Sequence, residues 1–156
     1  MLFRSLEWRG APHVVLVSFD GFSWDLMETH PAPSFERVAR EGVRADRMIP
    51  TYPTKTFPTH YSIATGMYAE THGLVGNRFW APDLGATYAL SDRETVEDGR
   101  FYRGEPIWAT AERQGMVSAS FFFVGSEADV GGIRPTYWRR FDASIPNSDQ
   151  IGRAHV

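Results

Sequence analysis

The sequence predicts an α/β layered fold, and three observations predict it. Residues 13–19 (His-Val-Val-Leu-Val-Ser-Phe) form an unbroken apolar run rich in β-branched residues. That is the pattern of a strand buried on both faces of a parallel sheet. Segments with helical spacing follow, each closed by glycine or proline. Their order (strand, helix, strand, helix, helix, strand) is the order of layered α/β proteins.

Each element has a local reason. The first strand ends at the turn signal Asp20-Gly21. Residues 34–41 carry Phe35, Val38 and Ala39 at helical spacing, and Gly42 stops that helix. Residues 43–49 are read as a second strand, closed by Pro50. Pro58 suits the first turn of the next helix. That helix runs through residues 60–67, with Tyr61, Ile63, Ala64 and Met67 as its apolar side. Residues 68–105 mix Gly, Asp, Arg and aromatics without clear periodicity and read as long functional loops. Residues 106–114 read as a helix with Ile107, Trp108 and Ala111 inward and Gly115 as its stop. Residues 116–124 read as the last strand, with Phe121, Phe122 and Phe123 in its core.

Composition sets the bounds. The 156 residues allow one ordinary domain, and 42% apolar content supplies a core, which excludes disordered and fibrous classes. Sixteen basic and 19 acidic residues give a net charge of −3, against a nucleic-acid groove built on basic charge. No run approaches the roughly 18 apolar residues of a membrane-spanning helix. The chain has no cysteine, so any metal must be held by oxygen or imidazole ligands. Residues 1–12 read as a lead-in; Arg4 is there, but the apolar core of a signal peptide is not. Residues 151–156 (Ile-Gly-Arg-Ala-His-Val) resemble the translation of a sequencing adapter. They are expected to be a non-native tail, with the natural chain cut at about Gln150 and continuing from there.

Candidate chemistry sits at two junctions. Asp20 ends the first predicted strand, where open α/β sheets place ligands. An ordinary turn or helix-capping role explains it equally well. Thr56 stands at a predicted helix start, where unpaired N–H groups favour an anion and a hydroxyl can attack phosphorus. Taken alone, it is most simply an N-cap threonine. Asn77, after Gly76, is by itself a turn residue.

The words around these residues carry more. The chain has Val15-Leu16-Val17-Ser18-Phe19-Asp20-Gly21-Phe22, then Pro53-Thr54-Lys55-Thr56-Phe57-Pro58-Thr59-His60-Tyr61. Thr65-Gly66-Met67-Tyr68-Ala69-Glu70-Thr71-His72-Gly73-Leu74-Val75-Gly76-Asn77 follows. With Pro106-Ile107-Trp108, Gly125-Ser126-Glu127-Ala128 and Arg134-Pro135-Thr136-Tyr137-Trp138, this ordered set resembles the nucleotide pyrophosphatase/phosphodiesterase family of the alkaline phosphatase superfamily. The resemblance covers nearly all of residues 13–147 and makes residues 13–150 the N-terminal part of a phosphodiesterase catalytic domain. It implies an alkaline-phosphatase-like layered fold, here truncated, with a mostly parallel central sheet flanked by helices.

The same resemblance implies hydrolysis of nucleotide pyrophosphate or phosphodiester bonds through a covalent threonine, releasing a nucleoside monophosphate. It implies two divalent metal ions, normally zinc. By motif match, Asp20 and Thr56 are metal ligands, Thr56 is also the nucleophile, and Asn77 donates to a phosphoryl oxygen. Phe57 lines the nucleotide pocket and Phe141 stacks on the base. The implied partner is a small phosphodiester substrate, and the implied location lies outside the cytoplasm (periplasmic, secreted or surface).

His60 and His72 are read as structural, because the family's ligands do not fall on them; Lys55 is read as a solvated lysine or a buttress to the loop rather than as a phosphate binder. Two positions depart from the family: Thr59 stands where Asn is usual, and Gly76 where an acidic residue often precedes the Asn. The family's later Asp and His ligands do not appear in this sequence. Two oxygen donors do not fill a tetrahedral zinc site. The chain as given is therefore expected to bind zinc weakly and to turn over little or no substrate. Two other readings stay open: a related hydrolase acting on phosphomonoesters, lipid phosphodiesters or sulfate esters, and a phosphate-binding remnant without turnover.

Overall fold

The structure is a computed structural model and describes residues 13–146; the expectations for the lead-in and the tail lie outside the described residues. The chain divides into two compact units, Met1–Arg44 and Ala45–Val156. Each has its own architecture.

In the first unit, two helices form, α1 (Leu26–Thr29) and α2 (Pro33–Glu41). Pro33 opens α2, where its missing N–H costs nothing, and the Gly42 amide closes it on the Val38 carbonyl. Phe19, Phe22 and Phe35 gather with ring centroids 5.2–5.8 Å apart. The strand expected at residues 13–19 does not form: the segment belongs to no strand, and Val14 and Val15 are more than four-fifths exposed. A strand satisfies its N–H and C=O groups only through a neighbour. Among the described residues this unit has no second strand to provide one. The strand expected at residues 43–49 is also absent, with Val43, Met48 and Ile49 exposed.

The second unit holds the core. Helix α3 (Thr56–Thr65) is followed by α4 (Ala69–His72), strands β1 (Arg78–Ala81) and β2 (Ala86–Ala89), then α5 (Arg93–Glu97). A 3-10 turn (Gly99–Phe101), α6 (Ile107–Arg113), β3 (Ala119–Phe121) and β4 (Tyr137–Arg139) complete it. Among the described residues the expected parallel central sheet is replaced by two small ones. β1 and β2 form an antiparallel hairpin in which Phe79 faces Tyr88, ring on ring at 5.1 Å. β3 pairs with β4 in parallel, Ala119 opposite Tyr137.

Tyr61 of α3, Leu74, Tyr88 of β2 and Trp108 of α6 are among the residues that close the core. The region read as loops, 68–105, is thus a hairpin flanked by short helices. Its turn, Pro82 to Gly85, is closed by the Leu84 amide on Ala81, with Gly85 at φ +60°. On α6 the inward side is Trp108 and Ala109, whereas Ile107 faces solvent. The last predicted strand shortens to β3, and Phe122 takes a positive φ of 60° directly after it.

Candidate functional site

Helix α3 organises the site. Its N-cap, Lys55, is extended and gives no side-chain hydrogen bond to the helix. Helix starts leave backbone donors without intrahelical partners, and here they are met from outside. The Lys55 amide donates to the Pro53 carbonyl at 2.8 Å. The Phe57 amide donates to Asn77 Oδ1 at 3.1 Å, across twenty residues of sequence. Pro58 has no N–H to satisfy, and at the far end Gly66, at φ +69°, lets the chain turn out of the helix.

Asn77 is therefore a tertiary cap on the helix that opens with Thr56. A backbone N–H only donates, so the amide orientation of Asn77 is fixed: oxygen toward Phe57, leaving Nδ2 as its donor end. The main chain of Asn77 is held as well, because the Leu90 amide donates to its carbonyl at 2.9 Å from beyond β2. This contact corrects the picture of a helix start with unpaired amides awaiting an anion: the Phe57 amide is already taken.

The other candidates are placed as follows. Asp20 is exposed in the turn with Gly21 (φ +66°), in the first unit, whereas Thr56 lies in the second. The Phe57 ring packs on the core, 6.2 Å from the Tyr88 ring. Phe141 is about half exposed, its ring edge-on to Phe122 at 5.7 Å. The Phe141 amide donates to Glu127 Oε1 at 2.8 Å, and Glu127 is also paired with Arg93. Glu127 is a buried carboxylate. Its structural part was not foreseen, since a charged residue is expected outside; the Gly125-Ser126-Glu127 motif was its only signal. Phe123 is partly buried and packs against the core, between His60 and Trp108.

Both histidines near the site are engaged within the fold. His60 Nδ1 donates to the Thr56 carbonyl at 2.7 Å, one turn back on α3. His72 is fully buried: Leu74 N–H donates to its Nδ1 at 3.1 Å, and its Nε2 lies 2.9 Å from Ser62 Oγ. Burial pushes the His72 pKa down, in keeping with a neutral ring. As for metal, Asp20 and Thr56 are two oxygen donors where tetrahedral zinc takes four ligands. Among the described residues no group of three or more His, Asp or Glu gathers to complete such a site. These residues by themselves do not fit a zinc centre.

Comparison with known proteins bears directly on this site. Residues 14–156 match the family model described as type I phosphodiesterase / nucleotide pyrophosphatase. The chain is 38% identical over 142 residues to human ectonucleotide pyrophosphatase/phosphodiesterase family member 1, covering 90% of this chain and 15% of that protein. It is 38% identical over 135 residues to a venom phosphodiesterase of Crotalus durissus collilineatus, covering 85% of this chain and 16% of that protein. Among solved structures it is similar to murine ectonucleotide pyrophosphatase / phosphodiesterase 5, with a TM-score of 0.80 at 32% identity. That alignment covers 87% of this chain and 36% of the murine one. An inactive variant of the murine protein, in complex with AMP, is equally similar, with a TM-score of 0.80 at 31% identity over 87% of this chain and 36% of that one. The chain thus spans about one-sixth of the length of the curated relatives it matches and about a third of the solved ones.

Proposed function

This chain belongs to the type I phosphodiesterase / nucleotide pyrophosphatase family, and from that premise we propose that residues 13–150 are the N-terminal part of a catalytic domain that hydrolyses nucleotide pyrophosphate or phosphodiester bonds. Thr56 Oγ attacks phosphorus, the bond to the leaving oxygen breaks, and the threonine proton passes to solvent or leaving group. Water then attacks phosphorus in the nucleotidyl-threonine diester, breaking its bond to Thr56 Oγ, releasing the nucleoside monophosphate and restoring the hydroxyl. Asn77 Nδ2 donates to the phosphoryl oxygen as charge builds on it. Phe57 and Phe141 border the nucleotide. By the family motif, Asp20 and Thr56 would each be a ligand to divalent metal, which would supply positive charge at the attacking and leaving oxygens.

The observation that carries this reading is the bond from the Phe57 amide to Asn77 Oδ1. It brings a neutral donor to the turn that begins with Thr56, and it turns the amide so that its N–H groups are the remaining end. A neutral amide serves a developing oxyanion without competing for metal. The AMP complex of the similar murine protein and the ectonucleotide pyrophosphatase/phosphodiesterase and venom phosphodiesterase names of other relatives support a nucleotide substrate and a site of action outside the cytoplasm.

The test is hydrolysis of p-nitrophenyl thymidine monophosphate by the full-length protein. Thr56→Ala is expected to abolish turnover, and Asn77→Ala to lower kcat by on the order of 10²–10³. A Thr56→Ala enzyme with full activity would end the proposal. The 156-residue chain alone is expected to bind zinc weakly and to turn over little; calorimetric titration showing two tight zinc ions would contradict that.

A further inference from the structure

We infer that His72 is a positioning residue for Asn77: its neutral imidazole bridges α3 to the Leu74–Asn77 stretch and so holds the Asn77 amide against the start of α3. The inference rests on the role proposed for Asn77.

The bonds fix the tautomer. Leu74 N–H donates to Nδ1, so Nδ1 carries no proton. In the neutral ring Nε2 then bears the hydrogen and donates to Ser62 Oγ. Ser62 is in α3, five residues after Phe57, and a helix is stiff over that distance. Leu74 lies three residues before Asn77 and is itself fully buried. The ring therefore spans the two segments that the Phe57–Asn77 bond joins.

Its surroundings leave it little freedom. The Tyr61 ring stands edge-on at 5.0 Å, and the Arg103 amide donates to the His72 carbonyl at 2.9 Å. Thr51 Oγ1 donates to Ser62 Oγ at 3.1 Å, so the serine oxygen is steadied from a second side. Without an acceptor at Nδ1, the Leu74 amide is buried and unpaired, and the chain toward Asn77 must shift to find water or another partner.

The test is a double-mutant cycle in the full-length protein, reading kcat and KM separately on p-nitrophenyl thymidine monophosphate. His72→Ala is expected to lower kcat roughly 10- to 100-fold, the scale of a misplaced reacting group, with KM within about threefold. In the Asn77→Ala background the same substitution should lower kcat little further. His72→Asn keeps an acceptor near the Nδ1 position and should recover most of the lost kcat. His72→Gln keeps only the donor toward Ser62 and should not. Should His72→Ala fail to fold, Ser62→Ala replaces it in the cycle, with the same loss of additivity expected. A His72 or Ser62 effect on kcat that is undiminished without the Asn77 amide would overturn the inference alone. An Asn77→Ala enzyme with wild-type kcat would remove the proposed role of Asn77 and this inference with it.

Discussion

Three buried tyrosines show how far one atom decides a residue's worth. Tyr102 O–H donates to the Val96 carbonyl at 2.9 Å. Its single hydrogen is thereby used, so the 2.9 Å contact with Tyr88 has Tyr88 as donor. Burial raises the pKa of both phenols, and each stays neutral. Tyr61 is equally buried, yet its hydroxyl has no hydrogen-bond partner among the described residues. Tyr102→Phe should therefore lower stability by about 1 kcal/mol, leaving Tyr88 without its acceptor. Tyr61→Phe should leave the thermal midpoint unchanged or raise it, because it removes a buried polar atom that gains nothing from the fold. Parallel melts of the two variants check the contrast; equal losses would show that the Tyr61 hydroxyl is satisfied in solution. Gly99 is decided by sterics instead. A Cβ there would fall on the Asp129 carbonyl, which is backbone and has no rotamer to yield, so Gly99→Ala should destabilise by about 1–3 kcal/mol.

At the level of elements, a carboxylate closes the β3–β4 ladder. Glu112, at the end of α6, accepts from the amide and hydroxyl of Ser118 and from the amide and hydroxyl of Thr136. Ser118 immediately precedes β3 and Thr136 immediately precedes β4, so one side chain sets the parallel register from its open end. The hydrogen bonds from Ser118, followed by those from Thr136, hold the Glu112 carboxyl down at about 2. A depressed carboxyl stabilises the fold above its ordinary pKa near 4.5 and loses that contribution as pH falls from 4.5 toward 2. Protection of the Tyr137 amide, which donates to the Ser118 carbonyl, should fall across that window when its exchange is taken relative to the intrinsic rate at each pH. In Glu112→Gln that protection should be low already at pH 6 and nearly flat with acid; an unchanged profile would place the clamp elsewhere. The same elements show what the sequence could disclose. Helices α2, α3 and α6 were legible because their signals are local: a proline at the start, apolar spacing, a glycine at or just past the end. Strands were not, because pairing is decided at a distance. Residues 13–19 and 43–49 have the composition of strands and pair with nothing described, whereas the β1–β2 hairpin alternates over only four residues per strand. At the site, the place of Thr56 at a helix start was legible in proline and threonine; the Asn77 contact was not, since no local rule joins residues twenty apart.

The whole molecule raises the question of what its exposed apolar surface is for. The second unit buries a continuous aromatic core, whereas the first has no buried residue in either of its helices. Val14, Val15 and Val17 stand in solvent in a segment whose composition is that of an interior strand. Side chains of this kind each gain roughly 1.5–3 kcal/mol on full burial. The chain spans about a third of the solved relatives it resembles. Hydrogen exchange separates the possibilities. In the 156-residue chain, the amides of residues 14–19 are expected to exchange nearly as fast as in an unstructured peptide, because they belong to no ladder. The amides of α3, from Thr59 onward, should be protected, since they lie within a helix packed on the core. In the full-length protein the first set should become protected too, as the segment gains neighbours and enters a sheet. Strong protection of residues 14–19 in the short chain would mean that it pairs with a second copy or with itself. Fast exchange of those residues in the full-length protein would mean that the apolar run is not a strand in any context, and Asp20 would then lose the sheet-end position at which α/β sheets place ligands.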